Sequence, residues 1–159
     1  MSSLLVQSCS ASKHEPGETV PALQLYSGYF FKIIKKAMRD GVYTDNVDLR
    51  ILSAEHGIVE PNQEIGYYDR RMDSERAEKL APQISEQLSA TIDDGHDKLL
   101  INVGREYRES LQRAEEELNM PIYYIEADGI GYKGQVLKRF IRGETSIESS
   151  DGIVAAQNT

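Results

Sequence analysis

Four short apolar runs recur along the chain: SLLVQS (3–8), DLRILS (48–53), KLLINV (98–103) and PIYYIEA (121–127). Each is followed by polar, turn-forming residues and then by apolar residues at helical spacing, a pattern that alternates strand with helix. Leu25, Tyr29, Phe30, Ile33, Ile34, Ala37 and Met38 predict a first helix that stops at Gly41. Asp73 stands where an N-cap belongs, before Ala77, Leu80, Ala81, Ile84 and Leu88, with Pro82 set to kink or divide this second helix. Tyr107, Leu111, Ala114 and Leu118 form a third stripe, and Leu137, Phe140 and Ile141 a fourth. The expected fold is a single α/β domain over residues 1–143, a mainly parallel four-stranded sheet with helices on both faces. Residues 144–159, ETSIESSDGIVAAQNT, lack periodicity and are expected to form a flexible tail.

A chain of 159 residues is long enough to build a core without disulfides or metal. The single cysteine, Cys9, excludes an internal disulfide, and three scattered histidines give no metal-ligand spacing, so neither metal nor cofactor is expected. No apolar run spans a bilayer, and MSSLLVQSC lacks the length and basic flank of a secretory signal, which predicts a cytoplasmic protein without a membrane partner. The formal charge of −8, from 26 acidic and 18 basic residues, works against a nonspecific coat on polyphosphate. With only eight lysines it also suits a salt-rich, halophilic cytoplasm.

Ligands of open parallel sheets bind beyond the carboxyl ends of the strands. The loops expected there are CSASK, AEHGIVEPNQEIGYYDRR, GREYRE and ADGIGYKG. Ser10, Ser12 and Lys13 in the first offer hydroxyls, backbone N–H groups and one cation for an anion or a polar base edge. Cys9 reads either as a nucleophile or redox sensor, with Lys13 or His14 beside it, or as a small residue packed at a strand end. His56 is either a general base or base-edge ligand or a polar turn residue before Gly57, whereas His96 reads as ordinary surface. Tyr67, Tyr68, Asp69, Arg70 and Arg71 put two ring faces, a carboxylate and two guanidiniums into five residues, a set that suits stacking and edge recognition of a base. Asn102 and Gly104 close the third strand and are further binding candidates. GIGYKG only loosely meets the dinucleotide fingerprint, which argues against a nicotinamide cofactor.

The segments LLVQSCSASK, LYSGYFFK, DLRILSAEHGIVEPNQEIGYYD and LLINVGREYRESL resemble, in order and character, segments of the YaaA peroxide-stress family. They are closer still to a related family of short, uncharacterised prokaryotic domains with a Cys-Ser-x-x-Lys start, a Leu-Tyr-x-Gly helix entry and a Leu-Ser-Ala-x-x-Gly loop ending in Tyr-Asp. The resemblance covers about residues 4 to 142 and carries over Cys9, Ser10, Lys13, Tyr26, Gly28, Ser53, Gly57, Pro61, Tyr68 and Asp69. It implies DNA binding and protection against oxidative damage, although this chain is shorter and more acidic than the YaaA proteins. CSASK is also similar to a segment of the modification domain of archaeosine synthases, which act on a deazaguanine base in RNA. Together these readings predict recognition of a nucleobase, a nucleoside or an exposed nucleotide of DNA or RNA, with base modification or glycosidic chemistry. Asp69, Lys13 and Cys9 would carry that chemistry, and Tyr67 or Tyr68 would stack on the base. The alternatives are a nucleic-acid-binding stress-response protein without chemistry, using basic residues of the first and last helices, and a redox-sensing or partner-binding module built on Cys9.

Overall fold

The structure, a computed structural model, describes residues 2–10, 13, 17–92 and 95–156. Ser12 and His14, both singled out above, lie outside the described residues. The chain runs β1 (Ser2–Ser8), β2 (Val20–Pro21), α1 (Ala22–Leu25), α2 (Tyr29–Arg39), β3 (Val47–Ser53), β4 (Gly57–Val59), β5 (Glu64–Ile65) and α3 (Ser74–Ile92). It continues through β6 (His96–Asn102), a 3₁₀ helix (Arg105–Leu111), α4 (Gln112–Glu117), β7 (Ile122–Ile125), α5 (Ile130–Ile141) and β8 (Ile153–Ala155).

The four apolar runs are the strands β1, β3, β6 and β7, and they pair in parallel in the order β3-β1-β6-β7. The expected four-stranded sheet is nevertheless too small: β4 adds antiparallel to β3 and β8 antiparallel to β7, giving six strands of mixed orientation among the described residues. Each added strand has three residues, too few for periodicity to register, and each forms by pairing along an exposed sheet edge. The expectation of a flexible tail is corrected by the same strand, together with Ile147, which is buried against α2 and α5. β2 and β5 form a separate two-stranded ribbon.

Alternation along β1 divides the core. Leu4 and Val6 face a layer made by α3, the 3₁₀ helix and α4, with Leu80, Ile84, Leu88, Tyr107 and Leu111. Leu5 faces the opposite layer, where Ile34 and Ala37 of α2 meet Leu137, Phe140 and Ile141 of α5. The second and fourth anticipated helices are present, with α3 unbroken through Pro82. The first is split, with Leu25 in α1 and Tyr29 and Met38 exposed on α2, and the third is a 3₁₀ segment running into α4. Asp73 caps α3, accepting a bond from the Arg76 N–H at 2.8 Å. Gly41 follows α2 at φ +71°, a conformation that glycine adopts without the Cβ penalty.

His96 departs from its surface reading: its side chain is buried at the start of β6, with Nε2 2.6 Å from Asp48 Oδ2 and Nδ1 3.2 Å from the Thr91 carbonyl. The flanking DDG and DK are what disguised it. Among the described residues no helix is long and apolar enough to cross a membrane.

Candidate functional site

The chain leaves β1 toward β3, then crosses back over β1 to reach β6. The helix after β1 lies on one face of the sheet and the helices after β6 on the other. The loops after these two neighbouring strands therefore part in opposite directions, and a crevice opens where they separate. Cys9 and Glu106–Tyr107 stand on its two sides, and the Cys9 thiol reaches across to the Tyr107 hydroxyl at 2.9 Å.

A cleft of about 520 Å³ occupies this position, lined by Cys9, Ser10 and Lys13 after β1, Glu106 and Tyr107 after β6, and Asp69 to Met72 from the long excursion after β3. Its volume is that of a small-molecule site. Three cations (Lys13, Arg70, Arg71) face two carboxylates (Asp69, Glu106), so the cleft carries a local positive balance in a chain of net charge −8.

How residues 54–73 reach the cleft explains why so polar a stretch holds its shape. Ser53 and Gly57 pair at the start of a tight hairpin, Gly57 with φ +76°. The α3 side chains Arg76, Gln83 and Gln87 hydrogen-bond the backbone of Ala54 to Ile58. Further on, Ile65 pairs with Val20, and the carbonyls of Pro61 and Gln63 accept bonds from the Leu23 and Ala22 N–H groups. The excursion after β3 is thus zipped to the one after β1.

A buried hydroxyl chain completes the attachment. The N–H groups of Glu55 and His56 each bond Ser53 Oγ at 3.1 Å, Ser53 Oγ donates to the Tyr68 hydroxyl at 2.8 Å, and that hydroxyl lies 2.5 Å from the hydroxyl of Tyr26. Tyr26 is fully buried, stacked on Phe31. Burial, and secondarily the Cys9 sulfur, pushes the phenols of Tyr26, Tyr68 and Tyr107 above their ordinary range. These three phenols stay protonated at neutral pH, each with one O–H to donate and an oxygen that can accept.

Tyr68 is therefore a strut. Its hydroxyl is spent on Ser53 and Tyr26, Lys13 Nζ sits 4.7 Å from its ring centroid, and His56 meets the ring edge-on. Tyr68 does not line the cleft, and its ring is half-buried. Its neighbour Tyr67 is 46% exposed and lies outside the lining of the cleft. Tyr68 on one side and buried Met72 on the other pin the segment, so Asp69, Arg70 and Arg71 are held at the surface between two anchors. Arg70 approaches Glu55 at 3.7 Å, while the side chains of Asp69 and Arg71 make no hydrogen bond or ion pair with the described residues.

Of the residues anticipated from sequence, Cys9, Ser10, Lys13, Asp69 and Arg70 share the cleft. Gly28 stands behind them, its N–H bonding Ser10 Oγ at 3.2 Å, and the Gly104 N–H bonds Ser8 Oγ at 3.3 Å. Tyr26, Ser53, His56, Gly57 and Tyr68 hold the loop and do not line the cleft. Asn102 does not line the cleft: it is wholly buried, with Nδ2 donating to Gln7 Oε1 at 2.8 Å. Tyr107 and Glu106 were missed as site residues because Tyr107 reads as one tooth of an apolar helical stripe. Their loop, GREYRE, was expected at the mouth of the site from its position after the third parallel strand, but neither residue stood out within it. Among the described residues no group of three His, Cys, Asp or Glu side chains is placed to hold a metal ion.

No curated protein and no solved structure matches the chain. Residues 4–139, which include β3, β6, β7, most of β1 and every residue of the cleft, match the family of unknown function DUF6884, and the chain belongs to that family.

Proposed function

We propose that this domain recognises a nucleobase or nucleoside, free or as an exposed nucleotide of DNA or RNA, in the cleft between the β1 and β6 loops, and acts on it by base modification or glycosidic chemistry. The observation that carries this reading is the Asp69 carboxylate, presented without a hydrogen-bond or ion-pair partner among the described residues at the rim of a switch-point cleft. A carboxylate there accepts from a ring N–H or an exocyclic amine, and the same group acts as a base once the ligand is bound. Tyr67 supplies an exposed ring for stacking. Lys13 stands where negative charge developing on the ligand would be stabilised, and the protonated Tyr107 phenol supplies a hydrogen-bond donor beside the Cys9 thiol.

Incubation with a panel of nucleosides and nucleotides, followed by chromatography of the bases released or altered, tests the catalytic part. Asp69→Asn, an exposed and nearly isosteric change, should leave the fold intact and lower turnover by about 10² or more. Unchanged turnover in the variant, or none in the wild-type protein across the panel, would remove Asp69 from the chemistry.

A second reading, a nucleic-acid-binding stress protein without chemistry, draws on the packing of α2 against α5 on one face of the sheet, which brings Lys32, Lys36 and Arg39 to the same side as Lys138 and Arg139. Part of that charge is already committed, since Lys36 pairs with Asp40, and the adjacent Lys35 is turned away, its Nζ bonding the Tyr26 carbonyl at 2.5 Å. This reading requires affinity for strands that collapses as salt is raised.

A further inference from the structure

We infer that the ligand of the cleft is a nucleoside phosphate and that Arg71 receives its phosphate; this rests on the nucleoside reading above and narrows it to one substrate class. The cleft does not end at Arg71. Asp69, Arg70 and Arg71 also line a second hollow of about 370 Å³, which continues toward the first turns of α3. The two spaces share only these three residues, so a ligand reaching from one into the other must pass them.

The two hollows differ chemically. The first sets the Cys9 thiol, the Tyr107 phenol and the Met72 side chain among charged residues, so it offers a flat group both apolar contact and polar partners. The second is lined wholly by charged residues. Most of those charges are already used: Lys79 pairs with Glu75, Asp73 caps α3, and the Arg76 guanidinium is fixed on the carbonyls of Ala54 and Glu55. Arg70 leans on Glu55. Arg71 has no hydrogen-bond or ion-pair partner among the described residues, and it stands at the junction beside the start of a 19-residue helix. A guanidinium takes a phosphate through two parallel N–H bonds, which a neutral ribose hydroxyl cannot match. With Asp69 at the same junction, an anion is admitted on the Arg71 side and a hydrogen-bond donor on the other.

The phosphate has two sources, a free mononucleotide or the 5′-phosphorylated end of a strand. Both present the same monoester to Arg71. Calorimetric titration separates the possibilities, using the 5′-monophosphates of guanosine, adenosine, cytidine and uridine, each beside its own nucleoside, and a 5′-phosphorylated dinucleotide. The preferred monophosphate should bind about tenfold or more tightly than its nucleoside, the increment of one charge-assisted pair. Arg71→Ala should bring the two within about twofold, while Arg71→Lys restores part of the difference. A dinucleotide that binds more tightly than the mononucleotide would identify the strand end as the source, and the reverse order the free nucleotide. Equal affinity for nucleoside and monophosphate would overturn the phosphate assignment and leave nucleoside recognition standing. Absence of binding by every probe would overturn both. A phosphate increment that survives in Arg71→Ala would place the phosphate elsewhere and refute the role of Arg71.

Discussion

Tyr26→Ala is expected to destabilise the protein by about 3–5 kcal/mol, the range for deleting a buried aromatic ring. The ring is fully buried, stacks on Phe31 at 5.1 Å between centroids, and carries the hydroxyl that meets Tyr68. Tyr26→Phe keeps the packing and leaves polar groups short of partners, so roughly 1–3 kcal/mol is expected. Because Tyr26 and Tyr68 share one hydroxyl contact, Tyr68→Phe in the Tyr26→Phe background should cost less than it does alone. Urea denaturation of the two single variants and the double variant measures this coupling, and strict additivity would show that the short contact contributes nothing. The same phenols set an alkaline limit. Their folded pKa values lie above the ordinary value of about 10, so near and above that pH the unfolded chain releases protons that the folded one keeps, and stability falls as pH rises.

Gly28→Ala is expected to damage stability and site together. The backbone of Gly28 is extended, so no conformational penalty is involved, but a Cβ there would lie 2.5 Å from Ser10 Cβ and 3.0 Å from its Oγ. Ser10 lines the cleft, and its hydroxyl accepts the Gly28 N–H. Either the entry to α2 or the loop after β1 must shift, at a cost of about 1–3 kcal/mol. The melting temperature should fall by roughly 2–12 °C, at 2–4 °C per kcal/mol for a chain of this size. Ligand affinity should fall with it. A variant as stable as the wild type would mean that the contact between the β1 loop and the α2 entry yields freely.

Much of the fold was legible because the parallel core is built from long elements with strong periodicity. The runs around Leu4–Val6, Leu49–Leu52 and Leu99–Ile101 are almost continuously apolar, as strands covered on both faces must be. What escaped was set by partners distant in sequence. β4 and β8 are three residues each and owe their form to an open edge of the sheet. His96 is buried by its contacts with Asp48 and Thr91, which its own neighbours do not announce. The site divides in the same way: the β1 loop and the Tyr-Asp segment stood out by residue type, and both reach the cleft. Which of the two tyrosines faces solvent was not legible, because Tyr68 turns inward only through Ser53 and Tyr26, 15 and 42 residues away.

The central claim is that the cleft beside Asp69 takes a nucleobase or nucleoside. Its most direct measurement is the melting temperature of the wild type and of Asp69→Asn against nucleobases, nucleosides, nucleotides and short DNA and RNA strands, at low and high salt. Tyr68 is left intact in this comparison, because removing it would unfasten the loop. A ligand at about 100 times its Kd adds about 2.7 kcal/mol of stability, a rise of roughly 5–11 °C for a chain of this size. A rise of that order with a small ligand, retained at high salt and lost in Asp69→Asn, is the expected result. Shifts produced by strands alone, fading with salt and equal in the two proteins, would contradict the claim and leave the Asp69 segment as scaffold.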